Sequence, residues 1–297
     1  MKHAGSDLLS GAIDLHTHCF PEIHRGFPMA QDDAEMAGHA ARAGMAGYVL
    51  KSHLWPTMDR AYHLAQRVPQ VDVLPSITLN ALVGGCHPGV LETAVKQGAR
   101  AAWLPTWSSH NDLSRNGFSR LIRAELPGLV PDVGISLLTK SGALTDVARA
   151  VVRVACDARI VLNTGHVSAE ETLAVAAESE RIGFTKLVVT HPDSASVGAT
   201  DEQVVEAARR GATIEWTFHG MLPDAQRITP QRVAEWVDTL GADRCVLTTD
   251  TFGRAGLPMA DLLVYYMGLL VEAGVGDAEV KRMTAENPAA LLDLRAP

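Results

Sequence analysis

Residues 12–18 read Ala12-Ile13-Asp14-Leu15-His16-Thr17-His18, an apolar start that runs into a polar end. Short apolar runs of this kind recur at 47–50, 71–77, 101–104, 159–163, 186–190, 212–216 and 244–248. Several are apolar on successive residues, which marks strands buried on both faces, the habit of parallel sheets. Stretches of helical period fall between the runs, at 31–43, 89–97, 143–156, 168–182, 201–210 and 229–240. Their ends are punctuated. Ser168-Ala-Glu-Glu171 is a capping box, and Thr200-Asp-Glu202 and Thr229-Pro230 are N-terminal signals. Gly44, Gly98, Gly183 and Gly211 stand where a helix hands over to a strand. Eight strand–helix repeats predict the α/β class and a (β/α)8 TIM barrel, one domain over 1–297 with a C-terminal helical segment.

The rhythm breaks between 105 and 142, where turn-rich sequence (TWSSHNDLSRNG) precedes a helical piece and a short apolar run. This interval is expected to be an insertion after strand four, placed at the active-site mouth. The alternative makes 134–138 a barrel strand and shifts the count by one.

Composition narrows the function classes. With 297 residues, 47% hydrophobic and 20% charged, the chain can bury a large core, which excludes fibrous and disordered classes. Lys plus Arg number 26 against 34 Asp plus Glu, a net charge of −8. With no compact basic run, nucleic acid is not an expected partner. Cys19, Cys86, Cys156 and Cys245 form no CxxC pair, which suits reduced thiols better than a disulfide framework. The opening MKHAGSDLLSG has no apolar signal core. No apolar stretch approaches the ~18 residues of a membrane-spanning helix. The expectation is a soluble cytoplasmic protein with a small-molecule substrate and no membrane partner. The apolar segment 257–275 would pack against the barrel or against a second copy, which leaves a homo-oligomer open.

In such a barrel the C-terminal strand ends converge on the catalytic face. Strand one ends in Asp14-Leu-His16-Thr-His18, strand two in Lys51-Ser-His53, strand five in Asn163-Thr-Gly-His166 and strand six in Thr190-His191-Pro-Asp193. Strand seven carries Glu215, and strand eight ends in Thr248-Thr-Asp250. Residues i and i+2 of a strand point to one side, so His16 and His18 can meet one cation. Imidazoles completed by a carboxylate suit a divalent metal, zinc first, with manganese or iron as alternatives.

This set resembles the amidohydrolase superfamily: HxH on strand one (His16, His18), histidines on strands five and six (His166, His191) and Asp on strand eight (Asp250). The tail Thr284-Ala-Glu-Asn-Pro-Ala-Ala-Leu-Leu is similar to that superfamily's closing helix. The resemblance implies that His16, His18 and Asp250 bind the more buried metal, and His166 and His191 a second one. Many members bridge two metals with a carboxylated lysine from strand four. Here strand four reads Ala-Trp103-Leu-Pro105-Thr and offers none. Lys51 could supply the bridge from strand two as a carbamate. Otherwise it binds a substrate carboxylate or pairs with Glu215, and His191 becomes a catalytic group beside a single metal.

The implied function is a metal-dependent hydrolase in which a metal-activated water cleaves an amide, cyclic amide, lactone or similar bond, with Asp250 as proton acceptor and donor. A mononuclear non-oxidative decarboxylase of the same superfamily is the first alternative. A PHP-type phosphoesterase is the second, although Asp250-Thr-Phe252 lacks its closing Asp-x-His. His53, Trp103, Glu215 and His219 are expected to face substrate. Trp55, Trp107, Trp216 and Phe218 also fall at or after strand ends, as pocket walls or as packing. His87 and His110 lie on loops that could reach the mouth, whereas His3, His24, His39 and His63 read as surface or packing residues. Arg254 and Lys140 would pair with an anionic substrate or stay at the surface.

Overall fold

The computed structural model describes residues 7–223, 225, 227–253 and 257–294; His3 and Arg254 lie outside the described residues. Eight strands are present: β1 (Ile13–Thr17), β2 (Gly47–Leu50), β3 (Asp72–Thr78), β4 (Ala101–Trp103), β5 (Val161–Asn163), β6 (Leu187–Val189), β7 (Thr213–Thr217) and β8 (Cys245–Thr248). They form one sheet in sequence order, with every pair from β1 to β7 parallel. With helices on the connections, this is the (β/α)8 class that the apolar runs predict. Among the described residues no helix is long and apolar enough to cross a membrane.

Packing divides the chain into two compact units. The first comprises Met1–Lys51, Asp59–Pro75 and Glu215–Pro297. It holds β1, β2 and β8, all fully buried. Gly47 in β2 is required by the pairing, since a Cβ there would lie 2.7 Å from the carbonyl oxygen of Asp72 in β3. The helix Asp33–Arg42 begins two residues later than its period suggests because Asp32 caps it. The Asp32 carboxylate accepts from Glu35 N (2.8 Å), and Glu35 returns the bond to Asp32 N (3.0 Å). The apolar segment 257–275 forms the helix Met259–Glu272, which buries Leu262, Leu263, Tyr266, Met267 and Leu270 within this unit. Each such side chain contributes ~1.5–3 kcal/mol. In the closing helix, Asn287 Nδ2 donates to the carbonyls of Ala242 and Cys245 (2.8 Å each), tying the tail to the start of β8.

The second unit comprises Ser52–Met58 and Ser76–Ile214. It contains β4, β5 and β6 and the helices Pro88–Lys96, Asp146–Ala158, Ala169–Ile182 and Asp201–Arg209. Ser168 caps Ala169–Ile182 in the box its sequence predicts, and Thr200, read as an N-terminal signal, closes a box with Gln203. Strand five was expected from Arg159, but Arg159 closes the preceding helix at φ 55° and β5 starts at Val161. Between β4 and β5 lie the helices His110–Arg115 and Ser119–Glu125 and the isolated bridges Ser109–Ile135 and Leu138–Leu144. No strand of the sheet falls at 134–138.

Candidate metal centre

In the first unit, β1 ends at His16 and His18, β2 runs into Lys51, β7 carries Glu215 and β8 runs into Asp250, and these side chains meet. The His16 Nδ1 edge faces both oxygens of Glu215 at 3.1 and 3.2 Å, and Glu215 Oε1 also accepts from Thr248 Oγ1 at 3.0 Å. His16 and Glu215 are wholly buried. A buried carboxylate draws the ring proton to Nδ1, which turns the Nε2 lone pair inward. His16 Nε2 then lies 3.1 Å from Asp250 Oδ1 and 2.8 Å from Lys51 Nζ. His18 repeats the arrangement, with Nδ1 3.3 Å from Glu22 Oε1 and Nε2 3.6 Å from Asp250 Oδ1. One donor atom each from His16, His18 and Asp250 fall within 4.8 Å of one another. Two imidazole nitrogens and a carboxylate oxygen converging from buried elements are a donor set that fits a divalent transition metal.

The electrostatics of the cluster follow from burial and charge. Burial opposes the His16 imidazolium, but Asp250 and Glu215 outweigh both burial and the Lys51 charge and raise it to about 9. Burial dominates at His18, which falls to about 4 despite Glu22. Lys51, wholly buried, is lowered by burial to about 8 against the pull of Asp250 and Glu215. Beneath the cluster, burial pushes Asp14 up to about 7, offset in part by donors from Thr249 and His16.

The second unit forms its own cluster. His166 Nδ1 meets Asp112 Oδ2 at 2.7 Å, and His191 Nδ1 meets Ser194 Oγ at 3.0 Å. The two rings lie 5.2 Å apart between centroids, and His53 stands 6.3 Å from His166 and stacks on Phe118 at 4.1 Å. Burial works against the Asp112 carboxylate, but donors from His166 and Ser119 outweigh it and hold it below its ordinary value. His53 is fixed from behind: its carbonyl accepts from Asn80 Nδ2 (3.0 Å) and Trp107 Nε1 (2.8 Å).

The remaining candidates are spread through both units. Trp103, Trp107 and Trp216 are wholly or almost wholly buried, and Trp55 is 60% exposed. His219 lines a recess with Phe218, Leu222, Asp250, Phe252 and Leu262. His87 caps the helix Pro88–Lys96, and His110 and Lys140 are exposed. Sequence reasoning missed Glu22 and Asp112. Glu22 is four residues from His18, a spacing it could have used. Asp112 lies in a turn-rich stretch 54 residues from His166 and carries no local signal.

The family model described as Family of unknown function (DUF6282) matches residues 11–215, which include His16, His18, Lys51, His166 and His191 and end at Glu215. No curated protein matches the sequence. Among solved structures, an amidohydrolase from Pseudomonas aeruginosa superposes with a TM-score of 0.64 at 14% identity, covering 98% of each chain. The probable dipeptidase PvdM from the same organism gives 0.64 at 12% identity, over 97% of this chain and 96% of that one. A probable 2-pyrone-4,6-dicarboxylic acid hydrolase from Acinetobacter baumannii gives 0.57 at 12% identity, over 96% of this chain and all (100%) of that one. At these identities the likeness is one of fold.

Proposed function

Because the chain belongs to the family of unknown function DUF6282, we propose its activity from the site itself: metal-dependent hydrolysis of an amide, cyclic amide, lactone or similar bond of a small molecule. The observation that carries this reading is the convergence of His16, His18 and Asp250 on one point, with Glu215 and Glu22 set behind the two imidazoles. His16, His18 and Asp250 would hold the metal, zinc first, with manganese or iron as alternatives. When bound, a divalent metal supplies a Lewis acid that polarises the scissile carbonyl and makes water acidic enough to react near neutrality.

The chain's own groups supply the rest. The Asp250 carboxylate, 14% exposed, accepts the proton that water loses and returns it to the leaving group. Glu215 and Glu22 keep the Nε2 atoms of His16 and His18 turned inward. His166 and His191, steadied by Asp112 and Ser194, offer donors for a second ion, and in a one-metal enzyme His191 moves protons instead. Lys51 as a carbamate would provide the bridging ligand. An ammonium this deeply buried is disfavoured, whereas a carbamate is an anionic ligand for a cation. His53 and His219 are assigned to substrate. The structural neighbours, a probable dipeptidase and a probable 2-pyrone-4,6-dicarboxylic acid hydrolase, support water as the co-substrate. The four thiols form no disulfide, which fits the cytoplasm, and neither nucleic acid nor membrane is assigned as a partner.

Metal content per chain, by plasma mass spectrometry on protein purified without chelators, tests the reading beside Lys51→Ala. Two metals that fall on loss of Lys51 support the bridged hydrolase. One metal in both proteins removes the bridge and favours the mononuclear decarboxylase, the reading that β4, without Lys, Asp or Glu, also suits. No uptake of zinc, manganese or iron overturns the proposal.

A further inference from the structure

Asp14, two residues before His16, accepts from backbone N–H groups and a threonine hydroxyl, where Glu215 and Glu22 face imidazoles. Its Oδ1 accepts from the backbone N–H of His16 at 3.0 Å. Its Oδ2 accepts from the N–H of Thr249 at 3.1 Å and from Thr249 Oγ1 at 2.6 Å. The next residue, Asp250, has φ 48°, in the left-handed region that a side chain other than glycine rarely adopts. Its N–H donates to the carbonyl of His16 at 2.9 Å, which closes a ring through His16 N, Asp14, Thr249, Asp250 N and His16 O. One residue further on, Thr251 Oγ1 donates to the carbonyl of His18 at 3.3 Å.

We propose that Asp14 and Thr249 are positioning residues: they clasp the end of β1 to the end of β8 and hold Asp250 in its left-handed conformation, so that its Oδ1 faces both His16 and His18. The inference rests on the metal-site reading and adds what sets its geometry. A strained backbone persists only when its surroundings over-determine it. Here the restraint is a single wholly buried side chain that holds two strand ends at once. The Thr249 hydroxyl makes the shortest bond of the ring, and valine replaces it at nearly equal volume.

The test measures zinc affinity by competition with a chromogenic chelator in wild type, Thr249→Val, Thr249→Ser and the control Thr57→Val. Thr57 is an equally buried threonine whose hydroxyl accepts from Ser76 N at 2.8 Å, and it has no assigned part in the centre. Thr249→Val is expected to weaken zinc binding about tenfold or more, the scale for loss of groups that orient metal ligands. Thr249→Ser and Thr57→Val stay within about threefold of wild type, whatever their melting temperatures. A folded Thr249→Val protein that keeps wild-type affinity overturns the proposal. Should that variant fold poorly, Asp14→Asn breaks the same ring and is judged by the same criterion. If wild type itself takes up no zinc, the metal reading fails, and the clasp is then judged in the metal-free protein by the imidazole nitrogen shifts of His16. Movement of those shifts in Thr249→Val toward the values in Asp250→Asn supports the clasp, and unchanged shifts overturn it.

Discussion

Glu215→Gln isolates the role of the carboxylate behind the first histidine. The side chain is wholly buried, lies 3.1 and 3.2 Å from His16 Nδ1 and accepts from Thr248 Oγ1 at 3.0 Å. Glutamine keeps the volume, so no cavity opens and the fold is expected to survive. What changes is charge and acceptor count: one oxygen becomes an amide nitrogen, and the anion that favours a proton on Nδ1 disappears. In the metal-free protein its loss leaves the buried His16 and Lys51 less compensated, offset in part because a neutral amide avoids the desolvation that a carboxylate incurs. The metal is affected as well. Losing a partner that orients a histidine ligand weakens metal affinity by roughly 10–100-fold. That range corresponds to ~1.4–2.7 kcal/mol at 1.36 kcal/mol per factor of ten. The expected pattern is therefore weaker zinc binding in a chelator competition by a variant that stays folded. A folded variant that binds zinc as tightly as wild type would refute the reasoning, since Glu215 would then be a packing group and not an orienting one.

Other perturbations follow from the same geometry. Asp112 has a folded-state value below its unfolded 3.8, so its contribution is complete above that value and is lost as pH falls through the folded one. Asp112→Asn should cost ~1.5–3 kcal/mol at pH 7, with the gap from wild type closing in acid, as read by urea unfolding across pH. Gly165→Ala should destabilise by more than ~2 kcal/mol, because φ is +62° and the new Cβ would collide with the carbonyl oxygen of Leu104; an unchanged melting temperature would contradict it. Cys19 and Cys245 are buried and their thiols are pushed up by burial, Cys245 to about 11. A disulfide reagent at pH 8 should leave both unreacted in the native protein and modify all four cysteines in denaturant.

Much of the fold was legible because burial on both faces writes itself into sequence. Runs such as Val161–Asn163 and Cys245–Thr248 stand out against polar surroundings, and the Ser168 box and the Thr200 signal mark helix starts. The helix Met58–Arg67 was not anticipated; it buries only Ala61 and Leu64. Strand ends drifted by a residue or two wherever a helix closes in an unusual backbone state, as at Arg159. At the site, the strand-end histidines were visible, because β-strand periodicity alone puts His16 and His18 on one side. Their partners were not. Glu215 was expected to face substrate, yet both its oxygens face His16, 199 residues away, and no local pattern encodes a pairing at that distance.

The two clusters share one construction: a histidine at a strand end with a buried carboxylate on its Nδ1, Glu215 behind His16 and Asp112 behind His166. An imidazole alone in a dry interior would be indifferent between its two tautomers. A carboxylate on Nδ1 holds the proton there, so that when the ring carries a single proton the lone pair is on the other nitrogen. Lys51 is the exception within this scheme. It brings a cationic group 2.8 Å from the donor atom of His16, where a metal would want a negative or neutral neighbour. Two unit charges ~4 Å apart repel by about 4 kcal/mol at the effective dielectric of a protein site. A divalent ion and the Lys51 ammonium therefore cannot share this centre at little cost. Burial has already moved the lysine toward its neutral form, and carbamate formation would reverse its sign altogether. The charge state of Lys51, the residue that follows β2, is therefore what a metal count in wild type and Lys51→Ala would read out.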